Sequence, residues 1–216
     1  MDEPEGTRRK LVETKQRWAR EGRLLTGQAA PPEQRLPPGQ RLVTDWPVLD
    51  LGIQPEIRRE DFRLSVDGLV ERPITLDWTW LSELDPASRL NDIHCVTQWS
   101  RFNNRWDGVA VETLLDLVRP KSQAGFVSLG ASDGYTTNLT LEDFARSDNI
   151  LAHSWEGAPL TRQHGGPVRL VVPHLYFWKS PKWLKRITFL AQNEPGFWEE
   201  RGYHDRGDPW MEERYG

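Results

Sequence analysis

The chain has little of three things that mark large classes of protein: cysteine, basic excess and long apolar runs. Its 216 residues include one cysteine. That excludes an internal disulfide, a zinc site of several thiolates, a cysteine-ligated iron–sulfur cluster and a Cys-x-x-Cys-His haem attachment. The formal net charge of −4 argues against a general nucleic-acid binder, which normally shows a strong basic excess. No apolar run approaches the roughly 20 residues that span a bilayer.

The N-terminus carries three consecutive basic residues, Arg8, Arg9 and Lys10, so a twin-arginine export signal has to be considered. Such a signal continues into an apolar segment. Residues 11–25 are instead rich in Glu, Lys, Arg and Gln. We therefore expect a cytoplasmic protein.

The composition, with 37% hydrophobic and 28% charged residues, is that of a folded globular chain of one or at most two domains. We interpret residues 1–40 as an N-terminal extension, with a polar helix at 7–22 and a Pro/Gln linker at 29–39. Residues 41–216 form the predicted domain. Tryptophan is abundant, at 11 residues. Most should be core, although rigid rings in the motif-bearing segments also suit a cofactor wall.

Short strands with brief helices between them predict an α+β fold with mixed sheets. Alternating apolar and polar residues predict a strand at 62–66, and Asp67-Gly68 then signals a turn. Apolar residues at helical spacing predict a helix over 111–118. Further strands are predicted at 74–78, 126–129, 150–155, 168–172 and 187–190, and short helices at 81–84 and 140–145.

The most informative segment is DIHCVTQWS at residues 92–100. Cys95 follows a short apolar stretch and precedes polar residues, which places it where a strand gives way to a loop. A lone cysteine is most often a small buried apolar residue. However, His94, Arg101 and Arg105 lie close in sequence, and nearby cations favour the thiolate that binds metals or attacks substrates. The residues alone leave these roles open.

A second pair of segments is RQHGGPVR at 162–169 and WKSPKWL at 178–184. Their glycines and proline let backbone come close to a ligand, and cations lie at either end. Arg169 interrupts an apolar run, and arginine is rarely buried unless it is paired with an anion. The alternative is an alternating strand that points Arg169 to solvent.

Together these segments resemble the molybdopterin-binding domain of the sulfite oxidase family, over residues 42–205. CVTQWS at 95–100 is similar to the Cys-Val-x-x-Trp-Ser motif at the metal ligand of a bacterial methionine-sulfoxide-reducing branch. HGGPVR at 164–169 resembles the family's His/Asn-Gly-x-Pro-x-Arg segment, and SPKWL at 180–184 resembles its Ser-Val-Lys-Trp-Leu segment. The whole pattern looks closest to small stand-alone bacterial sulfite oxidase-like oxidoreductases.

The resemblance implies a Mo-molybdopterin cofactor, with Cys95 as the one protein ligand of the metal. A single soft ligand would complete a coordination sphere otherwise made by the pterin's dithiolene and by oxygen, so one cysteine is enough. The implied reaction is two-electron oxygen-atom transfer on a small oxide or a substrate containing sulfur or nitrogen. Electrons would be exchanged with a separate cytochrome, flavoprotein or quinone-linked protein.

The resemblance also implies which residues hold the pterin. Charge-assisted bonds to its terminal phosphate favour Arg and Lys. The implied contacts are His164, Arg169, Lys182, the backbone of Ser180 and Pro181, and Ser132. The register of the last contact extends over 131–133. A further early contact falls near Asp50-Leu51.

One stretch departs from the family pattern. Sulfite oxidases of animals and plants carry an arginine-rich stretch after the cysteine that receives the sulfite anion. Residues 100–105, SRFNNR, keep arginines in a different arrangement. Arg101 and Arg105 are the candidates for contacting the substrate, but sulfite itself is not implied.

Two rival functions stay open at this point. One is a metal-free hydrolase or transferase that uses Cys95 as nucleophile with His164 or His153 as base. The other is a non-catalytic molybdopterin-binding electron-transfer subunit. Two smaller expectations complete the interpretation: the aromatic tail at 196–210 folds back over the domain, and His94 is either near the metal or on the opposite strand face. His153, His174 and His204 are expected to be structural.

Overall fold

The computed structural model describes Glu13 and residues 35–216, which form two β-sheets and a few short helices. The predicted helix at 7–22, apart from Glu13, and most of the linker at 29–39 lie outside the described residues. Within the described part of the chain, no helix is long and apolar enough to cross a membrane.

The strands divide unequally between the two sheets. The first sheet contains β1 (Arg41–Leu42), β4 (Pro86–Cys95), β5 (Trp99–Ala110), β8 (Ile150–Trp155), β9 (Ala158–Pro159) and β10 (Arg169–Val171). The second contains β2 (Arg63–Gly68), β3 (Ile74–Asp77), β6 (Phe126–Ala131), β7 (Thr136–Thr140) and β11 (Leu184–Leu190). The α-helices are α1 (Trp78–Glu83), α2 (Val111–Val118) and α3 (Leu141–Phe144), and 3-10 turns lie at Arg59–Asp61, Arg162–His164, Phe177–Lys179 and Glu199–Arg201.

Both sheets are mixed, which confirms the predicted α+β class. In the first sheet the order is β1-β5-β8-β10, with β4 also paired to β5 and β9 to β8; only β1 and β5 run parallel among these pairs. In the second sheet the order is β3-β2-β11-β6-β7, and β2 runs parallel to β11. Strand β11 therefore reaches the sheet centre directly from the segment that carries the SPKWL motif.

The local pattern explains most predicted elements. Val111, Leu114 and Val118 lie on one buried face of α2, as the helical spacing predicts. Strand β2 ends at Gly68, whose φ of +86° suits glycine. A Cβ there would lie 2.3 Å from the Phe189 carbonyl oxygen, so the predicted turn also allows close packing against β11.

Two predicted boundaries differ at α1. The strand expected over 74–78 stops at Asp77, and the helix begins at Trp78 rather than at residue 81. The Asp77 side chain accepts a hydrogen bond from the Trp80 amide at 2.8 Å, which is the contact of a helix N-cap. Because of this cap, the helix begins three residues closer to the N-terminus than the sequence pattern predicts.

The two longest strands, β4 and β5, are among those that hydrophobic patterning did not predict; the others are β1, β7 and β9. They pair antiparallel from Pro86–Val109 to Cys95–Trp99, with an irregularity between Asn91 and Ile93. The first half of β4 is largely exposed, so its polar residues hide the strand in the sequence. The hairpin brings Cys95 to its tip, beside the point where β5 begins.

The core lies between the sheets, and a second apolar cluster is formed by the C-terminal segment. The larger cluster draws on both sheets and α2 and includes Leu64, Leu114, Leu129, Leu151, Leu170 and Ile187. The second cluster joins Phe197, Trp198 and Tyr203 to Val96, next to the cysteine. The expectation that the tail folds back over the domain is confirmed.

Gly108→Ala tests the close approach of β5 and β8. A Cβ at Gly108 would lie 2.0 Å from the Leu151 carbonyl oxygen, which is backbone and cannot move aside cheaply. The free energy of unfolding should fall by about 1–3 kcal/mol or more, as expected for an overpacked interior. Urea denaturation measures it. Gly125→Ala is the control, since its nearest atom lies at 3.6 Å; equal losses in the two variants would contradict this packing.

Candidate cofactor site

One cavity collects residues from all three sequence motifs. It contains about 890 Å³ of empty space, part of it open to solvent. Its walls come from the loop at 46–51, the turn after β4, the loop before β7, the segments around β10 and the C-terminal segment. The predicted site residues that line it are Cys95, His164, Arg169, Ser180, Pro181 and Lys182.

Cys95 lines the cavity from the tip of the hairpin, where it is 7% exposed. Its Sγ lies 3.1 Å from the Thr97 hydroxyl oxygen. The Gln98 amide donates to the Cys95 carbonyl at 3.0 Å, and Gln98 has a φ of +66°. Because Trp99 pairs with Cys95 across the hairpin, the thiol stands on a turn that the sheet supports.

Among the described residues, Cys95 belongs to no cluster of metal-ligating side chains. In the part of the chain that the structure describes, no group of three or more His, Cys, Asp or Glu side chains could hold a metal ion. A metal at Cys95 would therefore need its other ligands from a bound cofactor or from solvent.

Arg169, the first residue of β10, is a buried cation at the cavity wall. It is 2% exposed, and its guanidinium donates to the carbonyls of His164 at 2.9 Å and Ser180 at 2.8 Å. It also lies over the Phe177 ring at 4.4 Å. Among the described residues no carboxylate forms an ion pair with it. Burial lowers the pKa of Arg169 to about 9, so it stays charged at neutral pH. A buried charge without a counter-ion is costly, so the site fits an anion.

Glycine lets the two cation-bearing segments pack together. Gly165 has a φ of +101°, and a Cβ there would lie 2.8 Å from the Cβ of Lys182. The Trp183 amide donates to the Gly165 carbonyl at 3.2 Å. The HGGPVR and SPKWL motifs are thus one structural unit, and only glycine fits between them.

Lys182 brings a second cation to the same wall. Its Nζ donates to the Gln163 carbonyl at 2.9 Å and lies 3.8 Å from an Asp50 carboxylate oxygen. Asp50 and Leu51 also line the cavity, as the early contact in the sequence predicts. The Asp50 carboxylate is held in place by Gln54, which donates to it at 2.7 Å.

His164 contributes hydrogen bonds rather than charge. Its ring stacks on Trp46 with centroids 3.9 Å apart. Nε2 lies 3.2 Å from the Trp46 carbonyl, which can only accept, so Nε2 carries the proton. Nδ1 then accepts from the Thr161 hydroxyl at 3.0 Å. Burial lowers the pKa of His164 to about 4, which keeps the ring neutral at pH 7.

An aromatic wall closes the cavity on the side of the C-terminal segment. Trp178 stacks on Tyr176 and meets Tyr203 edge-on, each with centroids 5.2 Å apart. Its indole nitrogen donates to Glu199 at 2.9 Å, and Glu199 pairs with the fully buried Lys179 at 2.7 Å. A buried ion pair therefore holds both the indole and the segment that supplies Trp198 and Tyr203 to the lining.

Three predicted site residues do not line this cavity. Arg101 donates to the Thr44 carbonyl and stacks over Trp155, and Arg105 is 59% exposed in its side chain beside Asp107. A strand advances about 3.3 Å per residue, so both arginines move along β5 away from the cysteine. Ser132 lines a neighbouring surface depression instead.

Some lining residues were not predicted individually. Asp133, adjacent to Ser132 in the predicted 131–133 register, reaches the cavity, and Trp46, Tyr135, Trp198 and Tyr203 line it as well. The abundance of tryptophan was the only signal for the aromatic walls.

The other histidines lie outside this lining. His94 is buried with Nδ1 2.8 Å from the Ser100 hydroxyl, behind the cysteine rather than in the cavity. His153 lines another surface depression. His174 pairs with Asp143 at 3.1 Å, and His204 accepts from the Gly207 amide at 3.2 Å; both contacts are structural, as expected.

Comparison with known families agrees with this geometry. A model of the family described as "Oxidoreductase molybdopterin binding domain" matches residues 51–198. The chain belongs to this family. The match spans the hairpin, both cation-bearing segments and most of the aromatic wall, and it confirms the resemblance to the sulfite oxidase-like molybdopterin oxidoreductases.

Individual relatives of this molybdopterin-binding family differ in length. The chain is 46% identical over 182 residues to "Uncharacterized oxidoreductase YuiH" of Bacillus subtilis (strain 168), which covers 84% of this chain and 92% of the relative. It is 30% identical over 173 residues to "Protein-methionine-sulfoxide reductase catalytic subunit MsrP" of Gluconobacter oxydans (strain 621H), covering 69% of this chain and 55% of MsrP. It thus spans about half of that second relative.

A solved structure shares the fold. The sulfane dehydrogenase SoxCD from Paracoccus pantotrophus superposes with a TM-score of 0.62 at 20% identity, covering 73% of this chain and 46% of SoxCD. The likeness supports the observed molybdopterin-domain architecture of mixed sheets with few short helices.

The residues of the cavity fit the cofactor that the family implies. Arg169 supplies a buried cation that has no counter-charge among the described residues, Gly165 keeps the backbone compact beside Lys182, and Cys95 supplies the one thiol. A phosphate-bearing pterin with a soft-ligand metal would meet each of these needs.

Glu199→Gln tests the ion pair behind the aromatic wall. It removes the counter-charge of Lys179, whose side chain is fully buried, and should lower the free energy of unfolding by about 3–5 kcal/mol. The double variant Lys179→Met/Glu199→Leu removes both charges and should recover much of that loss. Denaturant unfolding of the three proteins checks this. A single variant as stable as wild type would show that the pair does not hold the segment.

Proposed function

We propose that the protein is a molybdenum-dependent oxidoreductase that transfers an oxygen atom to or from a small oxide or an S/N-containing substrate, with Cys95 as the protein ligand of the metal. One observation carries the proposal. The chain's single cysteine lines the same cavity of a molybdopterin-binding domain as a buried arginine that pairs with no carboxylate of residues 35–216. The cofactor, when bound, would supply the two-electron redox centre.

The protein's own groups would bind and orient that cofactor. Arg169 and Lys182 lie on one wall and suit the terminal phosphate, since charge-assisted bonds are stronger than neutral ones. Neutral His164 would offer a hydrogen bond and a ring fixed by Trp46. The carbonyl of Ser180 is engaged by Arg169, so this backbone is already oriented before the cofactor arrives.

The charge distribution supports an uncharged substrate over an oxyanion such as sulfite. Arg101 and Arg105, the candidates for holding an anion, do not line the cavity. Among the described residues, the cations that do line it are Arg169 and Lys182, which the phosphate would engage. The relative named a protein-methionine-sulfoxide reductase suggests an organic S-oxide. Its reduction would take two electrons and two protons and release the deoxygenated substrate and water.

The electron donor or acceptor would be a separate protein. The MsrP relative is named a catalytic subunit, which supports an arrangement in which electrons pass between chains. A cytochrome, a flavoprotein or a quinone-linked protein would serve. The cytoplasmic location stays a prediction.

The hydrolase rival finds little support. Both ring nitrogens of His164 are engaged, by Trp46 and Thr161, so His164 is not poised to deprotonate Cys95. The second candidate base, His153, lies at another depression. The other rival, a non-catalytic electron-transfer subunit, would bind the same cofactor but would not turn over a substrate. Assays of substrate turnover by the cofactor-loaded protein distinguish it from the proposed enzyme.

Arg169→Met and Lys182→Met test the proposed phosphate clamp, by which we mean these two cations. Each change removes the charge but keeps an unbranched, largely apolar side chain. Charge-assisted hydrogen bonds contribute about 1.5–3 kcal/mol, so each variant should bind the cofactor roughly ten- to hundredfold more weakly. Pterin and molybdenum content after gel filtration measures this. Arg186→Met is the control, because Arg186 pairs with Asp67 on an exposed face. Full occupancy in both clamp variants would place the phosphate elsewhere.

Cys95→Ser tests the metal-ligand role, in protein made by a host that synthesises the cofactor. Serine keeps the size but replaces a soft thiol with a hard, weakly acidic hydroxyl. Wild type should contain stoichiometric molybdenum and a thiolate-to-metal absorption band. The variant should lose the band and nearly all redox turnover, yet keep much of the pterin through Arg169 and Lys182.

The rivals give different results in the same samples. If Cys95 is purely structural, the serine variant should have the visible spectrum and the redox turnover of wild type. A nucleophile would lose hydrolysis without changing any metal spectrum. An unchanged visible spectrum in metal-loaded Cys95→Ser would overturn the proposed ligand.

A further inference from the structure

The backbone behind the thiol is held from a distant part of the chain. The Cys95 carbonyl accepts two hydrogen bonds, from the Gln98 amide at 3.0 Å and from the Gln40 side-chain amide at 3.1 Å. The first closes the hairpin turn. The second comes from a residue that precedes the domain's long strands and is 5% exposed.

The Gln40 side chain is itself oriented by a buried polar chain. The Ser100 hydroxyl donates to Gln40 Oε1 at 3.2 Å, and His94 Nδ1 lies 2.8 Å from the same hydroxyl. Since Ser100 donates to Gln40, His94 must donate to Ser100. Each end of the Gln40 amide therefore has a defined partner, and the nitrogen is directed at Cys95. Fully satisfied buried networks of this kind fix a unique geometry.

Residues 35–43, which we call the arm, also hold the turn through the backbone of strand β1. The Arg41 amide donates to the Gln98 carbonyl at 3.1 Å, and the Val43 amide donates to the Ser100 carbonyl at 2.9 Å. At the start of the arm, Arg35 forms a bidentate ion pair with Asp92, which lies on the strand that ends in the cysteine. Residues 35–43 thus lie along the hairpin tip and hold both of its sides.

The turn needs this support because one of its residues has an unfavourable backbone conformation. Gln98 adopts a φ of +66°, a region that residues other than glycine occupy uncommonly. A turn with only its own hydrogen bond could open toward an extended conformation and redirect the thiol. The second bond, made from outside the turn, opposes that opening.

From these contacts we infer that Gln40 is a positioning residue for Cys95, and that the arm at 35–43 is part of the cofactor site. Gln40 does not line the cavity; it acts through the carbonyl of the cysteine. The arm lies outside the matched family region, which begins at residue 51, and the sequence pattern assigns residues up to 40 to an extension. The inference rests on the proposed function in one respect, the role of Cys95 as ligand.

The single cysteine makes the test site-specific. Metal-free protein is treated with a maleimide, and the alkylation rate reports how readily the Cys95 turn opens. Gln40→Met keeps the volume of the side chain but removes its donor and acceptor. Loss of one buried hydrogen bond should raise the rate about tenfold. Ser100→Ala, which keeps Gln40 but removes its orienting donor, should raise the rate less.

Asn149→Leu is the matched control. Asn149 is equally buried and donates to two backbone carbonyls, those of Asp143 and Phe144, far from the cysteine in the chain. Its loss should lower the melting temperature but leave the alkylation rate at the wild-type value. A structural role common to all buried amides would instead move both rates together.

The outcomes separate this inference from the proposed function. An unchanged alkylation rate in Gln40→Met, or an equal rise in Asn149→Leu at matched stability, would overturn it. If Gln40→Met does not fold, Ser100→Ala decides, and a wild-type rate there counts against the inference. None of these measurements involves metal. Absence of molybdenum from wild type would defeat the proposed function and leave the positioning of the turn standing.

Discussion

The guanidinium of Arg169 joins the parts on which the site depends. It donates to the His164 carbonyl on one side and to the Ser180 carbonyl on the other, so it ties together the two loops that flank the first residue of β10. It does this while buried and without a counter-charge from any described carboxylate. Its backbone contacts hold the loops in place, and its remaining positive charge makes the cavity a place where an anion is stabilised.

The hairpin of β4 and β5 contributes the other half of the site. It presents Cys95 on a turn closed by Gln98 and held from behind by Gln40. Arg169, on β10 of the same sheet, and Lys182, in the segment before β11, line the same cavity. The proposed metal ligand and the proposed phosphate-binding groups therefore lie on different elements. A cofactor that reaches both would be fixed at two points, and its orientation would follow from the protein backbone alone.

The residue types of the candidate site could be predicted from the sequence more fully than the positions of those residues in the fold. The family resemblance supplied His164, Arg169 and Lys182 as candidate pterin contacts, and the structure places all three on the wall of one cavity. Glycine and cation spacing alone left Arg169 open between a buried cation and a strand residue that points to solvent. The long hairpin could not be predicted, because its exposed polar residues conceal the period of two. Arg101 and Arg105 were expected at the site because they lie close to Cys95 in the sequence. Both are on the extended strand β5, so each further residue places the side chain farther from the cysteine. Ser132 lies outside the cavity, whereas its neighbour Asp133 lines it. Neighbouring side chains at the end of a strand point in different directions, so a shift of one residue decides which of them reaches the cavity. Gln40 carries no local signal, because its partner lies 55 positions away.

The Lys179–Glu199 pair has a consequence for biogenesis. Trp198 and Tyr203 belong to the segment that this pair draws onto the domain, and that segment follows every other wall of the cavity in chain order. During translation the hairpin, the glycine-rich loop and β10 are all made before it. The last part of the chain to be made is therefore the part that completes the lining of the cavity. Without the Lys179–Glu199 ion pair, the wall formed by Trp198 and Tyr203 would lose its buried attachment to the domain.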